Sequence, residues 1–108
     1  MKLVSAPLLR RAETRIPMRM FVKLSNPETG KFEIATTIDV SCHGARVVTK
    51  NVWQPNQDVF VRSIRGNLHS RARVAHCERY TDDSYTLGLE LYSATADWAT
   101  TGKPPRRA

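Results

Sequence analysis

The chain carries three arginines within six residues, Arg10, Arg11 and Arg15, immediately before its first apolar alternation. A guanidinium group can donate two parallel hydrogen bonds to phosphate oxygens or to the O6/N7 edge of a guanine, and its flat face can stack on a purine. Taken alone, such a run is usually a solvated basic surface. It indicates a binding site only if other polar side chains are brought to the same place.

The segment DVSCHG, residues 39–44, supplies such side chains at the end of the second predicted strand. Asp39 and Ser41 are two residues apart, so their side chains leave the same face of the sheet, while Val40 between them points into the core. Gly44 lets the chain turn sharply after the strand and offers unobstructed backbone N–H groups. We therefore expect a carboxylate and a hydroxyl fixed on a rigid outer surface, although Asp and Ser also bond local backbone at strand ends.

The first predicted hairpin brings these two segments together. Its turn, NPETG at residues 26–30, centres near Glu28, so the numbers of facing residues add up to about 56. That register puts Pro17 opposite Asp39 and Arg15 near Ser41. The arginine run then hangs from the open end of the hairpin, beside the carboxylate and the hydroxyl, and we interpret the two segments as one ligand-binding site.

A ligand that carries both guanine and phosphate would satisfy all of these groups. Asp39 can accept hydrogen bonds from the N1–H and N2–H of guanine, and Ser41 can donate one to a phosphate. The same residues do not form a catalytic set, because Ser41 has no orienting His–Asp pair and paired catalytic carboxylates are absent. We therefore expect a binding protein and not an enzyme.

The two segments resemble the paired signatures of the PilZ domain family, the bacterial receptor module for cyclic di-GMP. RAETR, residues 11–15, reads as R-x-x-x-R, and DVSCHG reads as D/N-x-S-x-x-G, in the family's order and with one hairpin between them. LGLELY, residues 87–92, is similar to the family's last strand. The resemblance covers about residues 10–92, and Cys42 and His43 occupy variable places in the motif. Each signature is common alone, whereas both in this order are fairly specific.

The resemblance implies a six-stranded antiparallel β-barrel that binds cyclic di-GMP on its outer surface, with the arginine arm folding over the ligand. The arginines would clamp guanine and phosphate, the strand would contact both from below, and the glycine would shape the turn. The site residues so implied are Arg11, Arg15, Asp39, Ser41 and Gly44, with Arg10 outside the strict motif as a further phosphate contact. Whether one ligand or a stacked pair binds stays open.

The pattern of the chain itself predicts an all-β domain, either an antiparallel sandwich or a small closed barrel. Apolar and polar residues alternate in six short segments separated by turn signals, such as Gly66-Asn67 for a tight hairpin. The predicted strands cover roughly residues 17–24, 31–40, 45–49, 58–65, 68–80 and 85–92. In the second, Phe32, Ile34, Ile38 and Val40 alternate with Lys31, Glu33, Thr37 and Asp39. Ser93 is expected to cap a short C-terminal helix through Trp98.

The length of 108 residues predicts one domain. We expect a flexible N-terminal arm over residues 1–9, the barrel over 10–99 and a disordered basic tail over 100–108. Two cysteines and three scattered histidines give neither a disulfide framework nor metal-ligand spacing, so no metal or cofactor is expected. Neither a signal peptide nor a membrane-spanning run is evident, so we expect a cytoplasmic protein without membrane insertion.

Seventeen Lys and Arg against ten Asp and Glu give a net charge of +7, which attracts an anionic partner: nucleic acid, nucleotide, acidic lipid or acidic protein. The preferred hypothesis is a cyclic di-GMP sensor whose arm, residues 1–16, orders over the ligand and signals to an unidentified effector protein. A barrel that binds single-stranded nucleic acid is an alternative, but only 7% of residues are aromatic and several are expected to face inward. A third is an adaptor that signals without ligand, against which the intact motifs argue.

Overall fold

The computed structural model describes residues 14–93 and Trp98. Within residues 14–93 every regular element is a β-strand. The strands are β1 Ile16–Pro17, β2 Phe21–Ser25, β3 Phe32–Ser41, β4 Gly44–Thr49, β5 Asp58–Ser63, β6 His69–Thr81 and β7 Ser84–Leu91. The C-terminal helix expected after Ser93 falls on residues of which only Trp98 is described, and the N-terminal arm and the basic tail lie outside the described residues.

Six of the strands close into a barrel. Neighbouring strands run antiparallel in the order β3-β2-β5-β6-β7-β4, and pairing of β3 with β4 completes the ring. The short β1 lies beside β3, beyond the end of β2. Closure leaves no free sheet edge among these six strands. The expected six-stranded antiparallel barrel is confirmed, and of the two architectures that the pattern allowed, the barrel is the one observed.

The core lies inside the barrel and is built from the alternating side chains of its strands. Val22 and Leu24 of β2 are fully buried, and the three leucines of β7 are no more than 5% exposed, as the alternation predicts. The residues of the buried cluster are Val22, Leu24, Ala35, Val40, Ala45, Val47, Trp53, Val59, Val61, Leu68, Ala72, Val74, Leu87, Leu89, Leu91 and Trp98. Burial of these apolar side chains is the main favourable term in folding.

On β3 a strict alternation fails. A period of two would put Phe32 and Ile34 on the core face with Val40, yet Phe32 is 58% and Ile34 47% exposed, while Val40 is buried. The pairing of β3 with β4 shifts register between Thr37 and Asp39. Such an irregularity inserts one extra residue, which moves every side chain before it to the opposite face. The first half of β3 therefore presents its large apolar side chains outward.

Fewer aromatic side chains face inward than expected. Of the eight aromatic residues, only Trp53 and Trp98 are buried. Phe21, Phe32 and Tyr80 are all more than half exposed. The bulge in β3 accounts for Phe32, whereas Phe21 points outward as the alternation in the first predicted strand implies.

The β2–β3 turn forms where the sequence predicts it, whereas the β5–β6 connection differs from the prediction. In the β2–β3 turn, Asn26 Oδ1 accepts hydrogen bonds from the backbone N–H groups of Glu28 and Thr29, and Gly30 has φ +79°, as a turn at 26–30 requires. Between β5 and β6 the chain does not make the expected tight hairpin. A five-residue connection, residues 64–68, joins the strands, with Gly66 at φ +100°.

Glu33 takes the inward place that the bulge creates, and its carboxylate organises the loop after β4. Its Oε2 accepts a hydrogen bond from the Lys50 N–H at 2.5 Å, and its Oε1 accepts one from Trp53 Nε1 at 3.1 Å. Asn51 Nδ2 donates to Oε1 as well, also at 3.1 Å. The side chain is only 9% exposed. A buried carboxylate is tolerated because its lone pairs are occupied.

Replacement of Glu33 by alanine is expected to lower the free energy of unfolding by about 2–4 kcal/mol, because it leaves buried donors on the β4–β5 loop without an acceptor. Urea denaturation measures the change. The control is Glu28→Ala in the exposed β2–β3 turn, which removes the same charge and is expected to change stability by less than about 0.5 kcal/mol. Equal losses in the two variants would contradict the structural role of Glu33.

Candidate ligand-binding site

The first hairpin brings Arg15 to Asp39. Pro17 pairs with Asp39 and Ile16 with Val40, as predicted, although β2 pairs with β3 one residue away from the predicted register, with Val22 opposite Ala35. Arg15 immediately precedes β1, and its Nε and Nη2 donate to Asp39 Oδ1 at 3.0 and 2.8 Å. One member of the arginine run and the acid of the second segment are therefore in direct contact.

Thr37 fixes this end of the hairpin where the chain crosses from β1 to β2. Its hydroxyl accepts a hydrogen bond from the Met20 N–H at 2.9 Å and donates one to the Met18 carbonyl. The Thr37 side chain is fully buried. It bridges the gap between the two strands, so β1 and the preceding Arg15 are held against β3 next to Asp39.

Arg46 is a second partner of Asp39, and the motifs of the sequence did not indicate it. Its Nε and Nη2 donate to Asp39 Oδ2 at 3.1 and 3.0 Å. The two residues are cross-strand neighbours on β3 and β4, which are joined by the two-residue turn Cys42–His43. A prediction that placed the turn at residues 42–43, and not at Gly44, would have identified this pair, because Asp39 and Arg46 lie at equal distances in sequence from such a turn.

The cluster of Arg15, Asp39 and Arg46 carries two positive charges and one negative charge at the barrel surface. The arginine side chains are 48% and 49% exposed, whereas that of Asp39 is 14% exposed. Ion pairs at such exposure contribute at most about 1 kcal/mol each to stability. The excess positive charge and the outward N–H groups suit the capture of an anion.

Ser41 is more buried than expected. The prediction placed its hydroxyl on an exposed outer surface, but the residue is only 4% exposed. It pairs with Gly44 across the hairpin, and its Oγ lies 3.9 Å from where a Cβ on Gly44 would stand. The hydroxyl therefore points over the glycine and not straight into solvent.

Gly44 has a different role from the predicted one. It belongs to β4, and it is not among the glycines of positive φ, which in the described part of the chain are Gly30 and Gly66. A Cβ at position 44 would lie 2.6 Å from the backbone oxygen of Leu89 on β7. Glycine is needed here because β7 approaches closely, and the turn itself is made by Cys42 and His43.

Two of the expected site residues, Arg10 and Arg11, lie outside the described residues. The described residues contain no group of His, Cys, Asp and Glu side chains that could hold a metal ion. They also include no helix of the length and apolarity needed to cross a bilayer. The described site is therefore the Arg15–Asp39–Arg46 cluster, with Ser41 and Gly44 beside it on the β3–β4 hairpin.

Comparison with known proteins identifies a matching family and two solved structures of similar fold. The model of the PilZ domain family matches residues 9–97. Among solved structures, the chain is similar to the PilZ domain with c-di-GMP of YcgR from Escherichia coli, with a TM-score of 0.64, 15% identity and 81% of each chain covered. It is also similar to the Bacillus subtilis inhibitor of motility MotI/DgrA, with the same TM-score and identity, over 86% of this chain and 48% of that one.

The chain thus spans about half the length of MotI/DgrA, and at 15% identity both similarities concern the fold. The curated proteins include no match to the chain. The family assignment stands on the family model, which covers both signature segments and all seven strands. This chain belongs to the PilZ domain family.

Proposed function

We propose that the protein is a cyclic di-GMP receptor that acts through another protein and catalyses no reaction. The observation that carries the proposal is that Arg15 and Arg46 both donate hydrogen bonds to the Asp39 carboxylate. This contact forms where the family's two signature segments meet. The YcgR domain, whose structure includes c-di-GMP, shares the fold and supports this ligand class. The effector protein is unidentified.

Ligand binding would proceed by an exchange at Asp39. In the described state, Oδ1 is occupied by two N–H groups of Arg15 and Oδ2 by two of Arg46. The N1–H and N2–H of a guanine present the same paired donors as a guanidinium edge. Guanine can therefore displace Arg15 from Oδ1, and Arg15 is then free to bind a phosphate or the guanine O6/N7 edge.

The arm completes the site in this proposal. Arg11, and Arg10 beside it, would close over the ligand as the first signature implies, and Ser41 would donate to a phosphate after a small movement at the hairpin turn. Arg15 is the point at which the arm joins the barrel. Ordering of the arm would create the surface that the effector recognises.

Titration calorimetry with cyclic di-GMP tests the proposal. We expect a dissociation constant near the micromolar range, equivalent to about −8 kcal/mol. Cyclic di-AMP is the matched control, since adenine lacks the N1–H and N2–H donors that Asp39 requires, and we expect it to bind at least about tenfold more weakly. GTP controls for guanine without the cyclic dinucleotide. Absence of binding, or equal binding of the two cyclic dinucleotides, would contradict the proposal.

Single-stranded nucleic acid is a second candidate, favoured by the exposure of the aromatic side chains. Several of these rings, however, already make a cation–π contact with a Lys or Arg side chain of the protein. Lys23 Nζ lies 4.3 Å from the ring centre of Phe32, and the Arg71 guanidinium lies 5.5 Å from that of Tyr92. A base would have to displace these contacts, so cyclic di-GMP remains the preferred ligand. A salt-sensitive gel shift without base preference would reverse that order.

A further inference from the structure

The outer face of β3, β2 and β5 forms a regular grid that the cyclic di-GMP site does not use. Three cross-strand rows compose it, in the order β3, β2, β5. They are Thr36, Phe21 and Ile64; Ile34, Lys23 and Arg62; and Phe32, Ser25 and Phe60. The hydrogen bond from the Ile64 N–H to the Phe21 carbonyl extends the β2–β5 pairing to the first row. We call these nine residues the three-strand face.

The three-strand face exposes large apolar side chains. Phe21 is 63%, Phe32 58%, and Ile34 and Ile64 are each 47% exposed. Cross-strand neighbours lie about 5 Å apart and alternate residues of a strand about 7 Å apart, so these side chains form one patch. Contiguous exposed apolar surface of this kind marks an interaction site more often than scattered single residues do.

The charge of the three-strand face is of one sign. None of its nine positions is acidic, and Lys23 and Arg62 stand side by side in its middle row. In the described part of the chain, no carboxylate pairs with either cation, whereas Arg71 and Arg73 on the adjoining β6 have acidic partners. The occupant of this face is therefore expected to be both apolar and anionic.

We propose that the three-strand face binds the surface of an anionic lipid bilayer. Four apolar side chains would enter the boundary between headgroups and acyl chains. Lys23 would exchange its contact with the Phe32 ring for a lipid phosphate, and Arg62 would meet a second one. A protein partner fits less well, because lysine is depleted from the desolvated centre of protein interfaces, and Lys23 occupies the central position of the grid. At a membrane surface, the ammonium group stays in the hydrated headgroup layer above its apolar stem.

The face and the ligand site are compatible on one barrel. Ile34 and Asp39 are five residues apart on β3, which is about 16 Å along a strand. The Arg15–Asp39–Arg46 cluster lies beside β1 and on β3 and β4, beyond the first row of the face along β3. None of the nine face residues belongs to the cluster, so the inference stands independently of the ligand that the cluster takes.

Sedimentation of the whole chain with vesicles tests the inference. Binding is expected with vesicles of phosphatidylglycerol mixed with phosphatidylcholine, and much weaker binding with phosphatidylcholine alone. The double variant Lys23→Gln/Arg62→Gln is expected to bind the anionic vesicles about 25-fold more weakly, at about fivefold per cation. Lys23→Gln alone is expected to bind about fivefold more weakly, whereas the control Arg79→Gln, which loses one charge at the far end of β6, is expected to stay within about twofold of the wild type.

The apolar part of the face is tested by Phe21→Ser/Phe32→Ser, which removes two exposed rings and should leave the fold intact, as thermal denaturation verifies. We expect at least about tenfold weaker binding to anionic vesicles. No binding of the wild type to anionic vesicles would overturn the proposal and favour an acidic protein as the occupant. Losses of equal size in Arg79→Gln and Lys23→Gln would also overturn it, since net charge and not the face would then cause binding.

Discussion

Replacement of Arg15 by alanine is expected to lower the affinity for cyclic di-GMP at least a hundredfold while the barrel stays folded. In the proposed exchange, Arg15 leaves Asp39 and makes two charge-assisted hydrogen bonds to the ligand, each contributing about 1.5–3 kcal/mol. Loss of both hydrogen bonds therefore costs about 3 kcal/mol of binding free energy or more, which exceeds the roughly 2.8 kcal/mol that corresponds to a hundredfold change in the dissociation constant. Stability should fall by no more than about 1 kcal/mol, because the pair is exposed and Arg46 still occupies Asp39.

Two further variants separate the possible causes of that loss. Arg79→Ala removes one positive charge from the far end of β6 and should bind like the wild type, so long-range attraction alone does not explain the effect. Arg15→Lys retains the charge but not the forked donors, and we expect it to stay at least about tenfold weaker than the wild type. Calorimetry that shows unchanged affinity for Arg15→Ala would remove Arg15 from the site.

The register of the first hairpin was predictable because it depends on local sequence. Asn26, Pro27 and Gly30 place the reversal of the chain, and counting outward then gives the strand pairing to within one residue. Counting from the observed β2–β3 pairs would put Pro17 opposite Val40, so its pairing with Asp39 also depends on a one-residue offset between β1 and β2. The same reasoning extends to Arg46, which needs only a turn at Cys42–His43.

The buried face of β3 was not predictable in the same way. The register shift between Thr37 and Asp39 leaves no distinct mark in the sequence, yet it moves Phe32 and Ile34 outward. Glu33 becomes buried because its partners, Lys50 and Trp53, come from a loop 17 to 20 residues later. Contacts over such separations depend on closure of the whole barrel. The exposed apolar face, and with it the bilayer inference, therefore emerges only from the structure.

Gly44 gives the second large expected effect, this time on stability. A Cβ added there would stand 2.6 Å from the Leu89 carbonyl oxygen, and neither backbone can move without disturbing the β4–β7 pairing, in which Gly44 faces Glu90 and Ala45 faces Leu89. We expect Gly44→Ala to lower the free energy of unfolding by about 2–4 kcal/mol, at the upper end of what overpacking costs. Urea denaturation measures the change.

Gly88, on the same strand pair, provides the matched control. The three atoms nearest to a Cβ there all belong to the imidazole ring of His76. His76 is exposed, so its ring can rotate into solvent, and Gly88→Ala is expected to cost less than about 1 kcal/mol. Gly88 stands against a side chain that can move and Gly44 against backbone that cannot, so the two variants separate a contact that relaxes from one that does not. If Gly44→Ala cost less than about 1 kcal/mol, the close approach of β7 would not be the reason for glycine at position 44.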